Sequence, residues 1–140
     1  MSHISLTYHI VFGTYARERT IPPEYERSLY TIIYNLAKSK GIMVRRIGGM
    51  SDHVHILCDI PPVVTVAEVV KTIKSESSKF LKNSKDFPRW RGWGEGYGAF
   101  SVSASLRDKV CNYIIRQKIH HSQISFEEEY KAFLESVGLE

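Results

Sequence analysis

The order in which hydrophobic periods switch along the chain limits the fold more than any other feature of the sequence. Residues 3–12 alternate: Ile4, Leu6, Tyr8, Ile10 and Phe12 share one side, while His3, Ser5, Thr7, His9 and Val11 take the other. A period of two is that of a strand. Pro22 and Pro23 then open a stretch in which Tyr25, Leu29, Ile32, Ile33 and Leu36 recur at helical spacing, and Gly41 is placed to end it. Ile42 to Ile47 reads as a second strand, residues 48–52 as a turn, and His53 to Ile60 as a third strand stopped by Pro61 and Pro62. Thr65 with Glu68 is a capping box for a second helix, with an apolar stripe of Val66, Val69, Val70, Ile73, Phe80 and Leu81. Residues 83–96 read as loop, with Pro88 and three glycines, and Tyr97 to Ser103 suits a fourth strand. Ser105 with Asp108 starts a third helix running to His121, and Ser125 with Glu128 starts a fourth.

The resulting order, β-α-β-β-α-β followed by two helices, predicts an α+β fold of the ferredoxin-like (RRM-like) kind: an antiparallel sheet with two crossover helices on one face. The 140 residues read as one domain, 1–140, without internal repeat, low-complexity tract or linker. With 43% hydrophobic and 24% charged residues the chain can bury a core of its own, which excludes a disordered protein. There is no apolar run of membrane-spanning length and no charged-then-apolar leader after Met1. Cys58 and Cys111 make neither a metal knuckle nor a disulfide framework, so the setting expected is a reducing cytoplasm. The net charge of +4 leans toward an anionic partner without identifying one.

Chemistry concentrates in Asp52-His53-Val54-His55. On a strand the two imidazoles project to one side while Val54, Ile56 and Cys58 face the other. One reading is a metal site; the other is a pair of half-exposed strand histidines satisfied by water. Structural zinc sites take three or four nitrogen or sulfur ligands, and this strand supplies two. A further ligand can be sought on the third helix, where Tyr113 and Gln117 lie one turn apart on one face. By itself that pair reads first as a core-edge aromatic with a polar neighbour. In combination the features say more. The crossover helices cover one face of the sheet, so the histidines belong to the other, and a helix added after the last strand is the natural one to lie there. Two imidazoles and an amide oxygen leave metal positions open for phosphate oxygens and water, with a tyrosine close enough to attack a bound phosphate.

A basic stripe supports a nucleic-acid partner. Lys71, Lys74, Lys82 and Lys85 fall on the helix face opposite the apolar stripe, and Arg89 and Arg91 interleave with Trp90 and Trp93. The lysines read alternatively as a solvated surface. The tryptophans read either as platforms for unpaired bases or as core anchors of a long loop. Arg45 and Arg46 on the second strand are further candidates for backbone contacts.

On these residues the chain resembles the single-tyrosine HUH transposases of bacterial and archaeal insertion sequences, the IS200-like type. The resemblance runs nearly end to end: Tyr8-His9-Ile10-Val11-Phe12, Asp52-His53-Val54-His55, the segment 96–103, Tyr113-Ile114-Ile115-Arg116-Gln117, and the closing stretch from His120-His121 through Tyr130. The resemblance implies that Tyr113 is the nucleophile and that His53, His55 and Gln117 hold Mg²⁺ or Mn²⁺. It implies cutting and rejoining of single-stranded DNA at hairpin-marked element ends through a 5′-phosphotyrosine link. It also implies a homodimer in which one subunit's tyrosine helix can complete the other's site. The very short link after Ser103 argues for such sharing, by tying the helix start to the fourth strand. The sequence departs from the pattern at Ala16, where many relatives carry a basic residue; Arg17 and Arg19 are its substitutes. Competing readings are a nucleic-acid-binding module of the same fold, an enzyme of the same chemistry serving replication initiation or plasmid nicking, and an inactive relative. The first requires aromatics on the open sheet face, where the third strand offers His53 and His55 instead.

Overall fold

The computed structural model describes residues 2–117, 126–136 and 138. Four strands, β1 (Thr7–Gly13), β2 (Met43–Met50), β3 (His53–Asp59) and β4 (Gly98–Val102), form one sheet in the order β2-β3-β1-β4. Each neighbouring pair is antiparallel. Helix α1 (Glu26–Ser39) joins β1 to β2, and α2 (Val66–Lys82) joins β3 to β4. This is the ferredoxin-like arrangement expected from the order of periods. Helices α3 (Arg107–Ile115) and α4 (Phe126–Ser136) follow.

The period of two assigns the faces. Ile10 and Phe12 of β1 and Val54, Ile56 and Cys58 of β3 pack with Leu29, Ile33 and Ala37 of α1 and Val69, Val70, Ile73 and Leu81 of α2. Fully burying one such aliphatic side chain contributes roughly 1.5–3 kcal/mol before the entropy of ordering it. On the other face Leu57 meets Val110 and Ile114 of α3 and Phe133 of α4. The sheet is therefore a middle layer, and the histidines of β3 look toward α3, on the side the crossover helices leave uncovered.

Several boundaries differ from those expected. β1 begins at Thr7 because Thr7 pairs with Asp59 and Val102, the last residues of the flanking strands; Ile4, beyond them, is 61% exposed. β2 continues through Gly48, Gly49 and Met50, which pair with His55, Val54 and His53, so the turn shrinks to Ser51 and Asp52. The register shifts between Val44 and Arg46, and Arg45 at that bulge clamps Asp59 through Nε and Nη2 at 2.8 and 2.7 Å. In α2 the buried stripe runs from Ile73 to Ser77 to Leu81, leaving Phe80 57% exposed, one position off the stripe.

Thr65 Oγ1 accepts from the Glu68 amide at 3.1 Å, as its capping box predicts. The corresponding box at Ser105 does not form: a 3₁₀ turn, Ala104–Leu106, precedes α3, and the Ser105 hydroxyl pairs with that of Ser103 at 3.1 Å. The expected extension of the third helix to His121, and the Ser125 cap of the fourth, lie outside the described residues. The expected single-domain span of 1–140 includes them as well.

Candidate active site

His53 and His55 are both fully buried between the sheet and α3. The ring of His53 is held from behind: its Nδ1 lies 2.7 Å from Asp52 Oδ1, and Arg17 Nη2 donates to Asp52 Oδ2 at 3.3 Å. Burial alone would raise the Asp52 pKa, but the His53 hydrogen bond and the charges of His53 and Arg17 outweigh it, holding the carboxyl below its ordinary value. Arg17 reaches Asp52 from a short 3₁₀ turn, Tyr15–Arg17, in which Ala16 and Arg17 adopt left-handed backbone with φ of 52° and 57°. Each costs on the order of 1 kcal/mol, offset by the anchoring of Thr14, whose amide donates to the Asp52 carbonyl at 2.9 Å.

The other ring nitrogen of His53, Nε2, lies 3.0 Å from Gln117 Oε1, and the Gln117 amide nitrogen donates to the Tyr113 carbonyl at 3.4 Å. Gln117 reaches the strand because β2 has glycine where α3 crosses it. A Cβ at Gly48 would stand 2.7 Å from Ile114 Cγ2 and 2.9 Å from the Ile114 carbonyl oxygen. Tyr113 meets His55 edge-on, with ring centroids 5.4 Å apart at 89°. On its far side it stacks on Phe133 at 4.0 Å and 19°, and its hydroxyl is buried. Tyr113, His53, His55 and Gln117, four residues from two distant segments, thus meet in one place within one chain. The short link after β4 does not keep Tyr113 from its own histidines: the 3₁₀ turn reverses the chain and lays α3 across β2 and β3. That removes the steric reason for sharing the site between subunits.

One member escaped the sequence reading. His9 of β1 is 1% exposed, and its Nε2 lies 2.8 Å from His55 Nδ1, with the two rings stacked 5.1 Å apart. Burial pushes its pKa down to about 4. The signal was present: His9 belongs to the polar side of β1, the same face as the β3 histidines. What the sequence does not contain is the register, which pairs Val11 with His55 and places His9 beside it.

Two hollows flank the site. One, of about 540 Å³, is lined by Arg17, Tyr97, Gly98, Tyr130 and Lys131 among others. Another, of about 660 Å³, runs from Tyr34, Arg45 and Arg46 to Gln117. The candidate DNA contacts divide. Lys71, Lys82, Lys85, Arg46 and Arg89 are exposed. Lys74 is committed within the chain, donating to the carbonyls of Gly94 and Gly96 at 2.7 and 3.0 Å and lying over the Phe12 ring. Arg91 pairs with Glu18 at 3.1 Å and covers Tyr15, while Arg45 is bound to Asp59. Trp90 is 9% exposed, donates to Ser78 Oγ at 3.1 Å and packs on Trp93, so it anchors the 83–97 loop and does not present its ring to bases.

The site offers two imidazoles and one amide oxygen as possible donors. Among the described residues no group of three His, Cys, Asp or Glu side chains is arranged to hold a metal ion, so a third protein ligand would be the Gln117 amide. In its neutral form, with Asp52 accepting from Nδ1, His53 would turn its Nε2 lone pair toward another acceptor, Gln117 Oε1, at 3.0 Å. Neighbouring ligands of an octahedral cation with bonds of about 2.1 Å lie about 3.0 Å apart. The residues therefore fit a bound divalent ion.

The chain belongs to the IS200-like transposase family, whose pattern it matches over residues 2–117. The transposase for insertion sequence element IS200 of Salmonella typhimurium is 28% identical over 120 residues, covering 79% of this chain and 75% of that protein. The ISDra2 transposase TnpA of Deinococcus radiodurans is 27% identical over 119 residues, covering 80% and 84%. Among solved structures, a protein from Deinococcus radiodurans R1 described as a transposase superposes with a TM-score of 0.62 at 25% identity, over 84% of this chain and 95% of that one. A REP-associated tyrosine transposase bound to a REP hairpin superposes with a TM-score of 0.66 at 12% identity, over 89% and 76%, a likeness of fold. Among the described residues no helix is long and apolar enough to cross a membrane.

Proposed function

We propose that the chain cleaves and rejoins single-stranded DNA at hairpin-marked element ends, with Tyr113 as nucleophile and with Mg²⁺ or Mn²⁺ held by His53, His55 and Gln117. The observation that carries the reading is the convergence of His53 Nε2 and Gln117 Oε1, 3.0 Å apart, beside His55, whose ring meets that of Tyr113 edge-on. Membership of a transposase family supports it independently. Asp52 and His9 lie against the Nδ1 atoms of the two imidazoles, which would leave both Nε2 atoms for a bound cation. The bound cation would polarise the scissile phosphate and stabilise the charge that develops on it.

The Tyr113 oxygen attacks phosphorus as its phenolic proton leaves. The bond from phosphorus to the 3′ oxygen breaks, and that oxygen takes up a proton to become a free hydroxyl. The 5′-phosphotyrosine ester is conserved in energy, so a 3′ hydroxyl from another strand can attack it, releasing the phenol and joining the new ends. The hollow beside Tyr97, Arg17 and Lys131 has room for the flanking nucleotide, and the exposed Arg46, Lys71, Lys82, Lys85 and Arg89 offer charge to the backbone. The assembly proposed from the resemblance is a homodimer, working in the cytoplasm.

A binding module without catalysis fits less well. Nucleic-acid-reading sheets of this fold leave aromatics open to bases, whereas here α3 and α4 cover the corresponding face. Incubating the protein with labelled single strands from the element ends tests the reading. A covalent protein–DNA adduct is expected with Mg²⁺ or Mn²⁺, none with chelator, and none with Tyr113→Phe, which should still bind the hairpin. Adduct formation by Tyr113→Phe would move the nucleophile, with Tyr97 and Tyr130 next in line; undiminished activity in chelator would remove the metal.

A further inference from the structure

We infer that His9 is a positioning residue for His55: its Nε2 accepts a hydrogen bond from His55 Nδ1–H and so keeps the Nε2 lone pair of His55 available to the metal. The inference rests on the proposed use of His55 as a ligand. Its physical basis is the contact of 2.8 Å between His9 Nε2 and His55 Nδ1, deep between the sheet and the outer helices, where both rings are at most 1% exposed.

A neutral imidazole carries one N–H and one lone pair. The short contact can hold only one hydrogen, so the pair has two arrangements. If His9 donates, the hydrogen of His55 stands on Nε2 and closes that atom to a cation. If His55 donates, Nε2 is bare and can ligate. The acceptor on His9 therefore decides which atom of His55 faces the metal, as the carboxylate of Asp52 does for His53 at 2.7 Å.

Packing alone gives no reason for a histidine here. The ring of His9 lies among apolar neighbours, edge-on to Phe133 at 5.4 Å and to Tyr113 at 6.1 Å, and 6.4 Å from Phe100. Its Nδ1 is buried with no hydrogen-bond partner among the described residues. A phenylalanine would fill that space without burying an unpaired nitrogen, so the nitrogen that is paired must supply the reason. The two ligands are also held differently. His53 leans on an anion that Arg17 neutralises in part, whereas His55, the ligand beside Tyr113, leans on an uncharged ring. A carboxylate in the place of His9 would repel the phosphate that Tyr113 must reach; an imidazole supplies the acceptor without the charge.

The test uses the full chain without DNA, and Mn²⁺ as the probe. Free Mn²⁺ is followed by electron paramagnetic resonance as protein is titrated in. Wild type should bind, and His53→Ala should not. His9→Phe, which keeps the aromatic packing and loses the acceptor, should weaken binding about 10- to 100-fold. His9→Gln, whose amide oxygen can accept from Nδ1–H, should recover most of the loss, which a residue that only packs would not do. Long-range nitrogen–proton NMR of the metal-free wild type should find the hydrogen of His55 on Nδ1. Wild-type affinity in folded His9→Phe, or a His55 hydrogen on Nε2, overturns the inference, and the NMR measurement decides even if the variant does not fold. Failure of the wild type to bind Mn²⁺ would instead count against the metal reading itself.

Discussion

His53 and Gln117 show how far a sequence can specify a site. The two-residue spacing on a strand was enough to put both imidazoles on one face, and the four-residue spacing on a helix put Gln117 under Tyr113. That His53 and Gln117 meet was expected only from their combination, since nothing in a linear sequence gives the 3.0 Å between them. His9 was legible as a polar-face residue and illegible as a site residue, because its role depends on strand register. Arg17 reaches Asp52 from left-handed backbone that no residue type there announces. Surface charge was the least legible feature. Lys74, read with its neighbours as a DNA contact, is tied to two carbonyls of the loop before β4, while Lys82 and Lys85 stay exposed. Lys74→Met should therefore lower stability by roughly 0.5–1.5 kcal/mol, since it removes a charged donor from one part-buried and one exposed carbonyl. It should leave the salt dependence of hairpin binding unchanged. Charge reversal at Lys82 and Lys85 should do the opposite, flattening a log–log slope of roughly −0.7 per phosphate contacted. Binding isotherms at several salt concentrations, with thermal melts of the same proteins, separate the two effects.

The elements were recovered well in kind and less well in extent. Periodicity identifies which stretches are strands, but a strand ends where its neighbours do, which is why β1 starts at Thr7 and why β2 outlasts its apolar run. The Gly48-Gly49 pair looked like a turn because glycine so often marks one. Its purpose here is clearance: α3 passes so close to β2 that Gly48 has no room for a methyl group. Gly48→Ala should force Ile114 outward, costing about 1–3 kcal/mol and several degrees in Tm. Because Gln117 follows Ile114 on the same chain turn, the variant should also bind Mn²⁺ more weakly than its loss of stability explains. Calorimetry and metal titration on one preparation check both, and an unchanged melt would show that α3 rests less tightly on the strand than described. Ser105 shows the reverse error: a capping signature can be present and unused when a tighter turn satisfies the amides first.

At the scale of the whole molecule, the three-layer order places the proposed site between the sheet and the helices that follow it, α3 and α4. The family membership was legible from motifs spread along the chain; the packing of α3 on its own sheet was not, because a short link seemed to forbid it. That packing has a consequence for assembly. If each chain carries a complete set, mixing Tyr113→Phe with His53→Ala under conditions of subunit exchange should yield no adduct. Recovered activity would show that helices trade places between subunits after all. The stacking of Phe133 on Tyr113 has a consequence in time. With its hydroxyl buried and its ring stacked on Phe133 of α4, the phenol proposed as nucleophile would meet DNA only once that helix shifts. Adduct formation followed on the millisecond scale should then level off at high DNA concentration at the opening rate of α4. Phe133→Ala should raise that plateau, trading stability of the resting protein for speed.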